Sequence, residues 1–468
     1  MSALTNGGPL PARRDVLRAL IAAAGLPAIS PGAAPLRKVA IIGGGMAGVS
    51  LAWLLNGQRD VVLLESGDSI GGNVRTVTVE LDGQTFPVDM GAQFFHPGPY
   101  PIYVKLLQFL GLYPSAVQSH PFTASITVHA DAEPVPRFIS PVLPDRFWPL
   151  LALWNWPGLH AFGVAFASAK IREQQQGAWA VTMEDWLSTL GLSVAQREQM
   201  LLPWVASLFS GSIAQARTLS ARAAMIFAAK ALPDNALDPI LYYVLNRGMV
   251  EPLRRMIQQM PDVQVLTGAR VTKVEREPQG GFRLGCANGR IVFADDLVFA
   301  APAEPSMKLL QGIPGTIAQQ LALRGIEFHD ARLVLHTDPA YAPGGPNYWS
   351  FLNCRVSGDY CESSMWMAQV LAAPGARTAA KLWKSWVTHR DREPQQILHE
   401  VRFRHMLPTP GSIIAQALLS KLQGLGRLWF AGGYTFPYDS QETALLSAIN
   451  IAWRLQVSSS RAAALQNP

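Results

Sequence analysis

The sequence predicts an α/β protein in which a discontinuous, Rossmann-like dinucleotide-binding domain is interrupted by a second, α+β domain. Two observations predict it: a strand–glycine–helix–strand signature close to residue 40, and a second strand–glycine–helix signature close to residue 430 of the 468-residue chain. In the first, Val39 to Ile42 form an apolar run suited to a buried parallel strand. The run Gly43-Gly44-Gly45-Met46-Ala47-Gly48 opens a helix over Met46 to Leu55. Glycines there let the chain turn tightly and bring backbone N–H groups against a pyrophosphate at the helix N-terminus. The next strand, Val61 to Leu64, is closed by Glu65 and Ser66. That acid stands about 20 residues beyond the glycines, where a carboxylate binds a ribose hydroxyl.

The run Gly71-Gly72-Asn73-Val74 follows. A glycine pair just after the second strand resembles the FAD signature of the flavin amine oxidase and phytoene desaturase superfamily. The C-terminal signature fits the same resemblance: Leu428-Trp429-Phe430-Ala431-Gly432-Gly433-Tyr434, then a helix from Ser440 as N-cap through Glu442, Thr443 and Ala444. Such a helix start offers N–H groups to the anionic side of a flavin. A third block lies between them. It comprises an amphipathic helix over Gly248 to Met260 and short β runs over Val263 to Leu266, Ala269 to Val274, Phe282 to Leu284, Ile291 to Phe293 and Val298 to Pro302. The resemblance places the backbone near Val271 against the adenine and Ala301 at the cofactor. It also runs the segment Gly91-Ala92-Gln93 beside the flavin.

The resemblance implies an amine oxidase-like two-domain fold with noncovalent FAD, since the C-terminal flavin segment holds no cysteine for a thioether. The expected division is a leader over 1–35, FAD domain over 36–111, 248–302 and 415–457, a helical substrate part over 112–247, a strand-rich substrate part over 303–414, and a tail over 458–468. The expected activity is hydride transfer from a substrate C–H bond of an amine, amino acid or apolar compound to flavin N5, with reoxidation by O₂ or another acceptor. Two alternatives stand beside it: a desaturase or isomerase of an apolar, lipid-like substrate, and a non-catalytic flavoprotein acting as a binding or assembly component.

The chain departs from the family pattern at several positions. Asn73 replaces a common arginine, and Gly433 stands where many members carry an acid. In Ala331 to Pro339, where amine oxidases often place a lysine that reaches flavin N5 through a water, the sequence offers Arg332 and His336 and no lysine. His96 and His336 are therefore the candidate proton acceptors. Gln93 and His96 are candidates for substrate contact, and Trp349 and Tyr434 for aromatic walls that favour a neutral or cationic amine or an apolar ring.

The N-terminus carries Arg13-Arg14 before a short apolar stretch ending in small residues, which resembles a twin-arginine export signal and implies a periplasmic enzyme; a basic leader on a cytoplasmic enzyme is the alternative. The net charge of +6 is mild and scattered, so a small-molecule substrate is expected and nucleic acid is not. Three cysteines, Cys286, Cys354 and Cys361, show no metal-ligand spacing, so no metal is expected, and two buried free thiols at Cys354 and Cys361 are preferred to a disulfide. The uncharged stretch 147–169 is long enough to span a bilayer on count, but Pro149, Asn155 and Pro157 interrupt it. It reads as substrate-domain helices, buried or forming a peripheral membrane contact. The oligomeric state is left open.

Overall fold

Five parallel strands make the first sheet, in the order Leu428–Phe430, Asp296–Phe299, Lys38–Ile42, Asp60–Leu64 and Gln264–Leu266. The molecule is known from a computed structural model that describes residues 36–128, 135–235, 238–371 and 381–466. The described residues from Arg37 onward form one compact unit, and the expected leader lies outside the described residues. The strands come from three separated stretches of chain, and Val39, Ala40 and Ile41 in the central one are fully buried, as a parallel strand covered on both faces requires. Helix Met46–Leu55, buried at every position, covers one face and packs against helix Gln441–Arg454. An antiparallel meander, Val271–Arg276, Phe282–Cys286 and Ile291–Ala294, covers the other face. Helices Ala303–Leu310 and Ile317–Arg324 share that second core although they follow residue 302.

The second layer is a seven-stranded sheet, ordered Ile397–Leu407, Glu327–His336, Trp383–Trp386, Tyr360–Trp366, Leu352–Ser357, Ala124–Val128 and Phe138–Ile139. Its last two strands come from the stretch expected to be helical, through a parallel pairing of Leu352 to Val356 with Ala124 to Val128. Helices Trp156–Gln174, Leu202–Phe209 and Ala221–Ala231 cover one face and form the largest apolar core with it. The stretch from Phe147 onward is two short 3₁₀ turns followed by the helix that starts at Trp156, with Pro157 in its first turn, where a missing N–H costs nothing. Among the described residues no helix is long and apolar enough to cross a membrane.

Candidate active site

The glycine loop is shaped by close backbone approach. Gly43 has φ +114°, and a Cβ there would lie 2.6 Å from the Ala300 carbonyl oxygen; a Cβ on Gly48 would lie 1.9 Å from the Gly43 oxygen. Gly45 differs, because its nearest non-neighbouring atoms to a Cβ, Gly71 O and Gly72 Cα, are 3.8 Å away, an ordinary van der Waals contact. No side chain caps that helix, so its first N–H groups remain available to an external acceptor. Glu65 accepts from Gly44 N through Oε2 and from Gly67 N through Oε1, each at 2.7 Å, and Ser66 Oγ donates to the same Oε1 at 3.1 Å. A carboxylate has about four lone-pair sites, so capacity for a ribose hydroxyl remains. These features fit a dinucleotide, whose pyrophosphate Gly43 to Gly48 would hold and whose ribose Glu65 would hold.

From this loop a continuous set of backbone contacts leads to a cavity. Gly71 N donates to Gly44 O at 2.9 Å, and Gly45 and Gly71 form a parallel bridge. Val74 N closes a turn onto Gly71 O, and Ala92 N donates to Asn73 O at 2.9 Å. A Cβ on Gly91 would lie 1.9 Å from that same Asn73 oxygen, so Gly71 to Val74 and Gly91 to Gln93 are held together. Gln93 then lines a cavity of about 710 Å³, together with Asp89 and Lys384. Its apolar wall includes Phe86, Tyr242, Phe351 and Met367, with the Tyr242 and Phe351 rings stacked at 4.4 Å.

Lys384 is the residue the sequence reading missed. It is 1% exposed, and its Nζ donates to the Asp89 carbonyl at 2.5 Å and to Gln93 Oε1. Burial pushes its pKa down to about 8. The Asp89 carboxyl, pushed up to about 6 by burial, accepts at Oδ1 from Thr76 Oγ1 at 2.5 Å and from Met249 N at 2.9 Å. A lysine alone among Leu382, Trp383, Ser385 and Trp386 was the available signal. A cation in a strand otherwise too apolar and aromatic to face water is either paired inside or functional.

Strand parity separates Lys384 from the histidine expected to act. In the antiparallel pair, Leu335 stands opposite Lys384, while His336 stands opposite Trp383 and Val334 opposite Ser385. Side chains alternate between faces, so Lys384 and His336 point to opposite sides of the sheet. His336 is fully buried there, with Nε2 2.7 Å from Ser385 Oγ and a pKa lowered by burial to about 4. Arg332 shares that outer face and pairs with Glu393 and Glu400. Trp349 packs its ring at 4.9 Å from Trp383 and 5.3 Å from Trp366, and its Nε1 donates to Pro343 O at 3.1 Å.

Tyr434 lies in the core under the parallel sheet, 6.5 Å from the Phe328 ring, and burial raises its pKa. His96 accepts from Gly98 N at 3.0 Å and packs edge-on against Tyr243; its pKa is lowered by burial. None of His96, His336, Trp349 and Tyr434 lines the cavity. Of the substrate-contact candidates, Gln93 does.

At the C-terminal signature Ser440 caps the helix Gln441–Arg454 in a reciprocal arrangement: Ser440 Oγ accepts from Thr443 N at 3.2 Å, and Thr443 Oγ1 accepts from Ser440 N at 3.0 Å. Gly432 N donates to Ser447 Oγ at 2.9 Å, and Ala444 packs in the core between the parallel sheet and its helices. Gly433 leaves room for Asp439, whose Oδ1 would lie 1.9 Å from a Cβ at that position, so a carboxylate reaches the place of the expected acid from six residues further on. Glu442 is engaged elsewhere. Its oxygens accept from Ile102 N at 3.0 Å and Tyr103 N at 2.7 Å, joining this helix to the start of helix Pro101–Phe109, and burial raises its pKa. Val271 opens the meander beside a register shift, and the Ala301 carbonyl accepts from Ser306 Oγ. The three cysteines are free and buried. Among the described residues no cluster of potential ligands could hold a metal.

A family model described as flavin containing amine oxidoreductase matches residues 46–330, more than half of the chain. Solved structures share the fold. A putrescine oxidase bound to putrescine is 16% identical, with 90% of this chain and 99% of that one covered and a TM-score of 0.60. A cyclohexylamine oxidase from Brevibacterium oxydans IH-35A is 15% identical, with 90% and 100% covered and a TM-score of 0.58. A CLA-producing fatty acid isomerase from P. acnes is 13% identical, with 89% and 98% covered and a TM-score of 0.60. At these identities the likeness is one of fold. No curated protein matches the chain in sequence.

Proposed function

Because this chain belongs to the flavin containing amine oxidoreductase family, we propose that it oxidises a C–H bond of a small organic molecule held in the cavity beside Gln93 and Lys384, using noncovalently bound FAD. The observation that carries the reading is the unbroken path of backbone contacts from Gly45 through Gly71, Asn73 and Ala92 to Gln93, which joins the dinucleotide loop to the cavity wall. Bound flavin supplies the two-electron acceptor; the protein's part is to orient the substrate and exclude water. Noncovalent attachment is supported by the absence of cysteine from Leu428 to Leu455.

The residues divide that work. Tyr242 and Phe351 offer a flat apolar wall, against which a substrate body is positioned. Gln93 is fixed by Lys384, so its amide has one orientation, with the oxygen toward Nζ. Burial pushes the Lys384 pKa down to about 8, so at neutral pH it presents an ammonium at the cavity wall. No strong side-chain base is needed, because the flavin carries the chemistry.

The test is the visible spectrum of the purified protein, followed by anaerobic titration with amines, amino acids and apolar compounds. A flavin spectrum bleached by one class, with peroxide on readmitting air, supports an oxidase. Turnover of an apolar compound without peroxide supports the second reading, desaturation or isomerisation, which the apolar wall favours. A protein that takes up no FAD refutes both.

Export by the twin-arginine route, proposed from Arg13-Arg14, is tested by the N-terminal sequence of protein recovered from the periplasm. Peripheral lipid contact is proposed from the turns that precede Trp156. Leu151, Leu153 and Trp156 are 69%, 77% and 56% exposed there, on a segment without formal charge. The buried Asn155 side chain braces them by pairing with Ile139 N and O and with Pro149 O.

A further inference from the structure

We propose that the cavity selects a molecule with an apolar body and a carboxylate head, the carboxylate seated on Lys384, in preference to an amine. This deepens the oxidoreductase reading by naming the class of substrate, and it rests on that reading for the chemistry alone.

Lys384 is a buried cation without an ion-pair partner among the described residues. An ammonium has three N–H donors. Lys384 gives two of them to neutral oxygens, the Asp89 carbonyl and Gln93 Oε1, and among the described residues no carboxylate oxygen lies within the 4.0 Å of an ion pair from Nζ. Buried cations are ordinarily paired, because a charge taken out of water without a partner is costly. Asp89, the acid nearest in the lining, acts on Lys384 through its charge at a distance but makes no ion pair with it: it turns its backbone carbonyl to Nζ and commits carboxyl Oδ1 to Thr76 and Met249.

The rest of the lining points the same way. Gln84, Thr85, Gln118 and Asn246 are polar and uncharged, so among the described residues Lys384 and Asp89 are the only formal charges on the wall. Opposite them Phe86, Tyr242, Phe351, Met367, Val370 and Leu371 are apolar or aromatic. A cationic amine entering here meets a like charge in a low-dielectric setting. A carboxylate supplies the missing partner and the third acceptor, while its apolar body displaces water from the far wall.

Decanoate, decan-1-ol and decylamine differ only in the head group and test this on the holoenzyme, with binding read both by flavin absorbance changes and by tryptophan fluorescence. Decanoate is expected to bind about ten-fold or more tightly than the other two, Lys384→Met to abolish that preference, and Lys384→Arg to retain it. Equal or tighter binding of decylamine, failure of decanoate to bind at millimolar concentration, or a preference that survives Lys384→Met overturns the proposal. Should Lys384→Met not fold, the ranking in the wild-type protein and in Lys384→Arg decides. The fluorescence reading does not depend on flavin, so failure of FAD binding and failure of carboxylate selection are separate outcomes.

Discussion

Lys384 and Gln93, 291 residues apart in sequence, are joined by a hydrogen bond from the ammonium to the amide oxygen at the wall of the cavity. The bond ties the seven-stranded sheet to the segment that follows the antiparallel hairpin of strands Thr76–Leu81 and Gln84–Asp89, and the lysine is charged and buried at neutral pH. That arrangement carries an energetic cost with a defined pH dependence.

Above pH 10.5, the ordinary lysine value, the side chain is uncharged in folded and unfolded chains alike. As pH falls from there toward 8, the unfolded chain takes up a proton that the folded one does not, and folded stability drops. Below pH 8 the full deficit applies, about 3 kcal/mol for a shift of this size. Lys384→Met therefore raises the Tm of the substrate-free protein at pH 7, and the difference from wild type shrinks as pH is raised from 8 toward 10.5. Thermal denaturation across that range checks the sign.

Gly45→Ala separates folding from cofactor binding. The added methyl group meets nothing closer than 3.8 Å within the protein, so the apoprotein keeps its Tm within a few degrees. The methyl projects where backbone would meet a pyrophosphate, and FAD affinity falls by about 100-fold or more, an estimate from the loss of close anion–amide contacts. Gly48→Ala, with a clash at 1.9 Å against backbone, instead damages the fold itself. FAD titration beside thermal denaturation of both variants distinguishes these outcomes.

Glu65→Gln replaces one of two backbone-accepting oxygens by an N–H donor, set against Gly44 N or Gly67 N. The expected loss is about 1–3 kcal/mol in urea unfolding of the apoprotein. A variant as stable as wild type would show that the loop holds its shape without the carboxylate.

His336→Ala leaves the rate of flavin reduction within about two-fold, since the ring faces away from the cavity. It lowers stability by about 1–3 kcal/mol through the lost Ser385 hydrogen bond and the space left behind. Rapid-mixing reduction kinetics and urea unfolding check the two halves. A reduction rate lowered by about ten-fold would restore His336 to the chemistry.

Leu151→Ser combined with Leu153→Ser removes two exposed apolar side chains without touching the Asn155 brace. Co-sedimentation with zwitterionic lipid vesicles is expected to fall by about five-fold or more, with Tm unchanged. Wild-type protein that stays in the supernatant would refute lipid contact.

What could be read in the sequence was what is local in the chain. Gly43 to Glu65 carries strand, turn, helix and acid within one uninterrupted stretch, and Ser440 announces its helix by position. Lys384 belongs to the other class. Its meaning depends on which strand lies beside Glu327–His336 and on which face each residue then takes, and neither is encoded near residue 384. Within Ala331 to Pro339 the sequence offers Arg332 and His336, which parity places on the opposite side of the sheet from Lys384. Glu442 illustrates the same limit, since its partners Ile102 and Tyr103 are 340 and 339 residues away in the chain.

Leu335 and Lys384 face each other across two hydrogen-bonded strands and project to the same side. A charged group can therefore be handed sideways from one strand to its neighbour, moving by about one strand spacing of 4.8 Å, while the cavity it serves remains where it was. Column-by-column comparison with a relative whose lysine sits on the first strand would score two unrelated substitutions and report the lysine as lost. The exchange Leu335→Lys with Lys384→Leu is the corresponding experiment in protein engineering, a lateral transplant of one ammonium within an unchanged sheet.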